Sequence, residues 1–234
     1  MNPLTYRTLE KLHPRRPIER LDHIAEACKG KIVLDLGCLD ETALFKKDSE
    51  YWLHGRIAAV AQSVTGVDSS EHIPADGISI APHCRILSGD ATDGATLARL
   101  GASAEVVVAG EFIEHIENPL EFLRTLRRAL PGRELIMSTP NGISAANALL
   151  GLIGREAQHP DHLHVFSYKT LNTLFSRAGF ERWEIRPYRF FATEMKMQSG
   201  KAFRPIVIAV EWSIRVLELL FPLLSFGYIV RARL

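Results

Sequence analysis

The chain has 234 residues, a net charge of +1 and a hydrophobic fraction of 47%, which is the balance of an ordinary globular protein. This composition excludes a disordered chain and argues against long nucleic acid as a partner. The three cysteines, which lack CxxC spacing, argue against a disulfide scaffold or a structural zinc site. Together with an N-terminus that has no apolar leader core, they predict a cytoplasmic protein.

The first thirty residues are predicted to form a helical cover on the main domain, 31–234. Pro17 can open a helix and Gly30 can end it. The apolar stripe of this helix would consist of Ile18, Leu21, Ile24 and Cys28. The arginines of the segment leave a second interpretation open, a basic surface for a phosphate-bearing partner.

From residue 31 onward, short apolar runs alternate with helical stretches. The runs are 32–36, 64–67, 84–87, 105–109 and 134–137. Because each run is continuously hydrophobic, we expect strands of a parallel sheet that is buried on both faces. Between the last two runs, Asn118 and Pro119 predict the start of a helix. This alternation predicts a doubly wound α/β sheet over about 31–142.

The remaining chain predicts one further helix and two further strands. The helix follows Ser167 and ends at Gly179, and a strand follows it at 183–188. The last segment, 226–234, alternates apolar residues with Arg231 and Arg233, which is typical of a strand. Residues 143–166 and 192–225 are predicted to be insertions on the acceptor side of the domain.

Small and acidic residues follow the predicted strands, at the edge where open α/β sheets bind ligands. Gly37 can offer backbone amides, Asp68 can hold two ribose hydroxyls, and Asp90 can accept a hydrogen bond from an exocyclic amine. The chain has no GxxxxGK[ST] loop and no GxGxxG after the first strand. The predicted ligand is therefore a nucleoside without a phosphate chain.

The ordered motifs of the chain resemble those of class I S-adenosylmethionine-dependent methyltransferases. They are 33–38, 67–68, 88–90, 111–115 and 131–141, within about residues 30–190. The resemblance implies a Rossmann-like seven-stranded α/β sheet with helices on both faces, an antiparallel last strand, and S-adenosylmethionine as cofactor. The residues that it implies for cofactor binding are Asp35, Gly37, Cys38, Asp68, Ser69, Asp90, Ala91 and Glu111.

The chain departs from the family pattern in its first loop. The usual Gly-x-Gly-x-Gly is reduced to one glycine, Gly37, and side chains at Leu39 and Glu41 could crowd the methionine part of the cofactor. Gly37 and Asp68 are 31 positions apart, whereas a standard dinucleotide unit has about 20. We therefore expect an inserted turn at 40–50 and a first crossover helix that begins at 52–56.

The Glu111-Phe-Ile-Glu114-His115 sequence has two interpretations. In the simpler one, Glu114 and His115 cap the strand and contact the cofactor. In the other, the later histidines His159, His162 and His164 are added, and two carboxylates with two imidazoles hold a divalent cation such as Mg²⁺. This arrangement resembles ubiquinone-pathway O-methyltransferases and plant small-RNA 2′-O-methyltransferases. The resemblance implies the ligands Glu111, Glu114, His115 and His164.

Both interpretations predict methylation of a hydroxyl on a small-molecule, sugar or lipid-linked acceptor. A bound cation would lower the pKa of the acceptor hydroxyl, and without a cation His115 or His164 would act as general base. An interaction module that has lost activity is the alternative, because the cofactor loop is reduced. A nicotinamide-dependent oxidoreductase finds no support, since Tyr-x-x-x-Lys is also absent.

The segment 206–221 is predicted to be an apolar helix with Glu211, Arg215 and Glu218 on one face. We expect a lid or dimer helix whose apolar face is buried and whose polar face meets water. The alternative is an interfacial membrane helix, flanked by the cations Lys201, Arg204, Arg231 and Arg233. In that case the acceptor would be lipid-linked.

Overall fold

A computed structural model describes residues 9–39, 49–156 and 158–234 of the chain, without the side chain of residue 194. Most of the predicted inserted turn, residues 40–48 with Glu41, lies outside the described residues. The predicted first crossover helix begins at Leu53, one residue after Trp52.

The described residues form one mixed sheet with the strand order β3-β4-β2-β1-β5-β6-β8-β7. Five neighbouring strands, β4, β2, β1, β5 and β6, run parallel, and β8 lies antiparallel between β6 and β7. The strands are β1 Ile32–Leu36, β2 Ser63–Asp68, β3 Ile78–Ala81, β4 Cys84–Ser88, β5 Val106–Gly110, β6 Glu134–Pro140, β7 Trp183–Tyr188 and β8 Gly227–Arg233. The predicted α/β fold and the antiparallel last strand are confirmed.

One strand was not predicted. Strand β3 pairs antiparallel with β4 and extends the sheet from seven strands to eight. Its four residues, Ile78–Ala81, are all at least partly exposed, so this edge strand lacks the buried run that marks the others.

Helices cover both faces of the sheet. In chain order, those within the described residues are α1 Arg20–Cys28, α2 Leu53–Ala58, α3 Gly94–Leu100, α4 Pro119–Ala129, α5 Ala145–Leu152, α6 Tyr168–Arg177, α7 Thr193–Gln198 and α8 Arg204–Leu220. Short 3₁₀ turns occur at Ile113–His115 and Pro222–Leu224. Side chains at the expected positions cap two helices, because Asn118 accepts the N–H of Glu121 and Ser167 accepts the N–H of Thr170.

The predicted N-terminal helix begins at Arg20 rather than at Pro17. Ile18 instead forms a short bridge to the sheet, where its N–H donates to the Pro187 carbonyl at 3.1 Å. Helix α1 then packs on α2 and buries Ile24 and Cys28 completely. Because an extended residue cannot also start a helix, this bridge delays the helix by one turn.

Helix α8 is oriented opposite to our expectation. Glu211 and Glu218 are buried, whereas Trp212 and Leu220 are each 66% exposed. The prediction of a lid whose apolar face is buried within the chain is wrong, and so is the prediction that the glutamates meet water, whereas the dimer helix stays a prediction. The reason is that the two carboxylates accept hydrogen bonds from backbone N–H groups outside the helix, at Ala192, Phe190 and Phe226. These bonds hold the glutamate face of the helix against the protein. No helix among the described residues has the length and apolar character required to span a membrane.

Candidate functional site

The parallel strands bring the predicted cofactor residues to one edge of the sheet. Leu36 of β1 is in register with Val67 of β2, and Asp68 is in register with Ser88 of β4. The N–H of Gly37 donates to the Val67 carbonyl at 2.9 Å, and the N–H of Gly89 donates to the Asp68 carbonyl at 2.9 Å. The loops that follow β1, β2 and β4 therefore begin side by side.

Gly37 is a position that requires glycine. Its φ of +65° lies in the left-handed region, and a Cβ atom there would collide with the Phe112 ring. Phe112 comes from the loop after β5, directly before the turn Ile113–His115. The contact therefore joins the first cofactor loop to the segment that carries Glu114 and His115.

The Asp68 carboxylate lies between two loops. One oxygen accepts the N–H of Leu39 at 2.9 Å and the other accepts the N–H of Ser70 at 2.9 Å. Burial raises the pKa of Asp68, and the hydrogen bonds from Leu39 and Ser70 oppose that rise. Ser69, next in the chain, is exposed. A carboxylate held in this way at a strand end can accept hydrogen bonds from ligand hydroxyls as well.

Asp90 and Ala91 follow β4 at the same edge. Asp90 is exposed, and one of its oxygens accepts both the N–H and the hydroxyl of Thr92, at 2.7 and 2.6 Å. Ala91 is buried. The Thr92 contacts fix the orientation of the Asp90 carboxylate toward solvent, where a polar ligand group can reach it.

Two predicted cofactor residues use their side chains for structural contacts. The Asp35 carboxylate is buried and lies 2.8 Å from Nδ1 of His54. Burial lowers the pKa of His54, but hydrogen bonds to Asp35 and Cys84 outweigh it and raise the pKa to about 9. The Cys38 side chain is also buried, beside Trp52. Any cofactor contact from Cys38 must therefore come from its backbone.

Glu111 adopts a strained backbone conformation at the end of β5. Its φ is +54°, which is rare for a residue other than glycine. Its N–H donates to the Ser138 carbonyl at 3.0 Å, and its carboxylate accepts the Tyr188 hydroxyl at 3.0 Å and lies 3.4 Å from the Arg20 guanidinium. Burial raises the pKa of Tyr188 well above its usual range, so the phenol remains a donor. Glu111 is thus held by Arg20 and Tyr188.

Glu114, His115 and His162 form a compact cluster of metal-binding side-chain types. Their donor atoms all lie within 4.8 Å of one another. The His115 and His162 rings are 4.7 Å apart, and His159 lies 6.1 Å from His115. Within the described ranges, neither carboxylate oxygen of the buried Glu114 makes a direct hydrogen bond, although the Thr139 hydroxyl, also unpaired, lies near enough to lower its pKa. Such a buried, unsatisfied carboxylate is the expected state of a group that meets a ligand.

The electrostatics of the cluster follow from its burial. Burial raises the pKa of Glu114 well above its usual range, and the neighbouring Glu111 carboxylate adds to this rise. Burial also lowers the pKa of His162, with a further contribution from His115 and His159.

Backbone hydrogen bonds bring the histidine-rich loop to the cluster. The carbonyl of Glu114 accepts the N–H groups of Leu163 at 2.9 Å and His164 at 3.1 Å. This places His162 beside His115, whereas the His164 ring turns to the Glu117 carbonyl at 3.3 Å. The four implied metal ligands therefore do not form one group. His162 takes the place of His164, and Glu111 is held by Arg20 and Tyr188 instead.

Two contributors to the site were not predicted, namely Arg20 and Tyr188 as the partners of Glu111. His162 was one of three candidate histidines at 159–164, but the implied ligand set named His164 in its place. Nothing local in the sequence marks Arg20 or Tyr188, because each reaches Glu111 from a distant segment.

The chain is similar to known methyltransferases in both sequence and fold. A family model described as a methyltransferase domain matches residues 9–185. Probable S-adenosylmethionine-dependent methyltransferases from two strains of Mycobacterium tuberculosis are 31% identical over 159 residues. That match covers 67% of this chain and 51% of each relative, so the chain spans about half the length of the curated relatives it matches.

Solved structures share the fold. An S-adenosylmethionine-dependent methyltransferase from Archaeoglobus fulgidus is 18% identical, with a TM-score of 0.53 over 92% of this chain and 91% of that one. A second, from Thermotoga maritima, is 16% identical, with a TM-score of 0.55 over 91% and 86%. From the matched family model, these relatives and the sheet topology, we conclude that the chain belongs to the class I S-adenosylmethionine-dependent methyltransferases.

Proposed function

We propose that the protein transfers a methyl group from S-adenosylmethionine to a hydroxyl of a small-molecule, sugar or lipid-linked acceptor. The observation that carries this proposal is the Glu114, His115 and His162 cluster, whose buried carboxylate makes no direct hydrogen bond among the described residues. A neutral hydroxyl is a weak nucleophile, so its methylation requires a group that takes its proton. An acceptor that is already a neutral amine has no such need.

The residues at the sheet edge fit the cofactor of the family. Because Gly37 has no side chain, its backbone can pass close to the Phe112 ring. The carboxylates of Asp68 and Asp90 lie at the ends of neighbouring strands. Asp68 would hold the ribose hydroxyls, and Asp90 would accept from the adenine amine. When bound, S-adenosylmethionine supplies an electrophilic methyl group on a sulfonium.

His115 is our candidate for the residue that takes the acceptor proton. It is partly exposed, so an acceptor can reach its ring, whereas Glu114 beside it is buried. A positive charge on His115 favours the ionised form of the neighbouring Glu114, and that carboxylate in turn stabilises the imidazolium. His162 packs against His115 and fixes the position of its ring. The contribution of the chain is then positioning together with proton removal.

The same cluster supports a second candidate, in which a divalent cation activates the hydroxyl. Two imidazoles and one carboxylate, with donor atoms within 4.8 Å of one another, are the donor set of a metal site. Glu114, His115 and His162 would hold the cation, which would lower the pKa of a bound hydroxyl. Because imidazoles suit Zn²⁺, Fe²⁺ or Ni²⁺ better than Mg²⁺, this donor set favours a transition metal.

The test compares acceptors that differ only in the accepting atom. Methyl transfer from labelled S-adenosylmethionine is measured with matched pairs of alcohols and amines, such as sugars and their amino-sugar counterparts. We expect label on the alcohols, and loss of that transfer in His115→Ala but not in the exposed control His72→Ala. Transfer to amines alone would contradict the proposal. Failure of the wild-type protein to bind S-adenosylmethionine would instead support an interaction module without activity.

A further inference from the structure

The outward surface of helix α8 is apolar over most of its circumference. Exposed fractions reach 66% for Trp212 and Leu220 and 59% for Ile206. The other large exposed side chains of this segment are Ile208, Val210, Val216, Leu219 and Phe221. An apolar surface of this extent is rare on a soluble monomer and marks an interaction site.

Polar contacts hold the helix to the body of the protein, so its apolar surface remains available. Glu218 accepts the N–H groups of Phe190 at 3.0 Å and Phe226 at 2.8 Å. Glu211 pairs with Lys196 at 2.9 Å and with Arg215 at 3.1 Å. The helix is thus fixed through the face that amphipathic helices usually expose.

Two helices that pack beside α8 also expose apolar side chains. Ile214 of α8 packs on Ala145 and Ala146 of α5, and Lys196 of α7 pairs with Glu211. These two helices and the turn before α8 expose further large apolar side chains, namely Leu149, Leu152, Ile153, Met195, Met197 and Phe203. We call these six residues, together with the exposed apolar residues of 206–221, the apolar platform.

The exposed charge of the segment 201–221 has one sign. Within 201–221 the exposed charged residues are Lys201 and Arg204, because both glutamates of the segment are buried and Arg215 is partly buried. No exposed carboxylate of 201–221 therefore repels an anionic surface, and two cations at the N-terminal end of the helix attract one. Apolar insertion next to basic side chains is the pattern by which helices bind anionic lipid.

The breadth of the exposed surface distinguishes a bilayer from a second copy of the chain. Viewed down the axis of α8, with 100° per residue, the exposed apolar residues lie between Ile208 at one edge and Val210 at the other. The arc between these two edges is about 200°. A helix that packs on protein uses a stripe of about 100°, so one flat interface would leave part of this arc in water. Fluid lipid, in contrast, can contact a half-immersed helix over the whole of that arc.

We propose that the apolar platform docks the protein on an anionic lipid bilayer, with α8 lying in the plane of the interface. The 17 residues of α8 would occupy about 25 Å of that plane. Helices α5 and α7 follow the carboxyl ends of β6 and β7, so the docked face adjoins the edge of the sheet that carries Gly37 and Asp68. Docking itself does not depend on which acceptor is methylated.

Tryptophan fluorescence gives a direct readout of docking. Of the three tryptophans, Trp52 and Trp183 are buried at 4% and 5% exposure, so Trp212 alone meets solvent. The full chain is titrated with phosphatidylcholine vesicles that contain or lack phosphatidylglycerol, and flotation measures the bound fraction. We expect a blue shift of the emission and flotation with the anionic vesicles. Higher salt should weaken binding through Lys201 and Arg204.

Substitutions at exposed positions test the surface without disturbing the core. Ile206→Glu should lower vesicle partitioning about tenfold or more, whereas Val60→Glu, at an exposed valine outside the platform, should bind as wild type does. An Arg204→Glu variant should bind anionic vesicles less tightly. Absence of flotation from wild-type protein would overturn the proposal. A dimer by light scattering that Ile206→Glu dissociates, without vesicle binding, would assign the platform to a second copy.

Discussion

The His162 ring lies 4.7 Å from the His115 ring, with an angle of 80° between their planes. The two residues come from separate loops, which the Glu114 carbonyl joins by accepting the N–H groups of Leu163 and His164. One backbone carbonyl therefore decides which histidine of the 159–164 loop enters the cluster. Both of our candidate mechanisms depend on this contact.

Cation binding should follow the donor set of the cluster. We expect Zn²⁺, added to metal-free protein, to bind at one site in calorimetry and to lose that site in Glu114→Gln or His162→Ala. His164→Ala serves as the matched control, because its ring contacts the Glu117 carbonyl instead. Loss of binding in His164→Ala with retention in His162→Ala would restore the ligand set that the sequence implied.

Asp68 should contribute to cofactor affinity. A lost charge-assisted hydrogen bond costs about 1.5–3 kcal/mol, so Asp68→Ala should weaken S-adenosylmethionine binding about ten- to a hundredfold. Calorimetry measures the affinity, and thermal unfolding of the same variant shows whether loss of the Leu39 and Ser70 contacts disturbs the fold. Wild-type affinity in a folded Asp68→Ala protein would remove this residue from the cofactor site.

Glu218 should make stability depend on pH. Burial raises its pKa from 4.5 to about 7, although N–H groups of Phe190 and Phe226 and the cations Arg215 and Arg189 oppose the rise. The folded chain therefore holds this proton at a pH where the unfolded chain has released it. The contribution to stability is full below pH 4.5 and is lost as the pH rises through 7.

The variant Glu218→Gln removes this titration and keeps an oxygen that can accept both N–H groups. Relative to wild type, its free energy of unfolding should rise between pH 4.5 and 8, by about 3 kcal/mol at most. Urea unfolding at a series of pH values measures the difference. A difference that stays constant with pH would show that Glu218 does not titrate in this range.

Asp35 should act on stability more than on the cofactor. Its carboxylate pairs with the buried His54, whose pKa is raised to about 9, so His54 stays protonated in the folded chain at neutral pH. The pair stabilises the fold fully below pH 6.5, and this contribution disappears as the pH rises through 9. Asp35→Asn should destabilise the protein by about 3 kcal/mol at pH 6 and by much less at pH 10. An equal loss at both pH values would contradict a protonated His54.

The sequence predicted the parts of the fold that depend on continuous burial. Strands such as β1 and β5 are buried along almost their whole length, and their apolar runs mark them without reference to other segments. The exposed edge strand β3 carries no such mark. Gly37, Asp68 and Asp90 were placed correctly at the ends of parallel strands because strand order and polarity fix that edge.

The orientation of α8 and the membership of the histidine cluster depend on contacts between residues that are far apart in the sequence. The orientation of α8 was wrong because Phe190 and Phe226 supply backbone donors to Glu218, which no local pattern records. The structure groups His162 rather than His164 with Glu114 and His115, and spacing alone cannot tell which of the two histidines turns toward His115. In both cases the side chain contacts a group that only the tertiary structure brings near it.

We propose that His115, supported by Glu114 and His162, either takes the proton of the acceptor hydroxyl or helps to hold a cation that lowers the pKa of that hydroxyl. The most direct test is single-turnover methyl transfer to a hydroxyl acceptor by wild type and His115→Ala, both saturated with S-adenosylmethionine. Loss of one catalytic group of this kind should slow the step about 10²–10⁴-fold, with cofactor affinity by calorimetry unchanged. An unchanged rate in the variant would contradict the account.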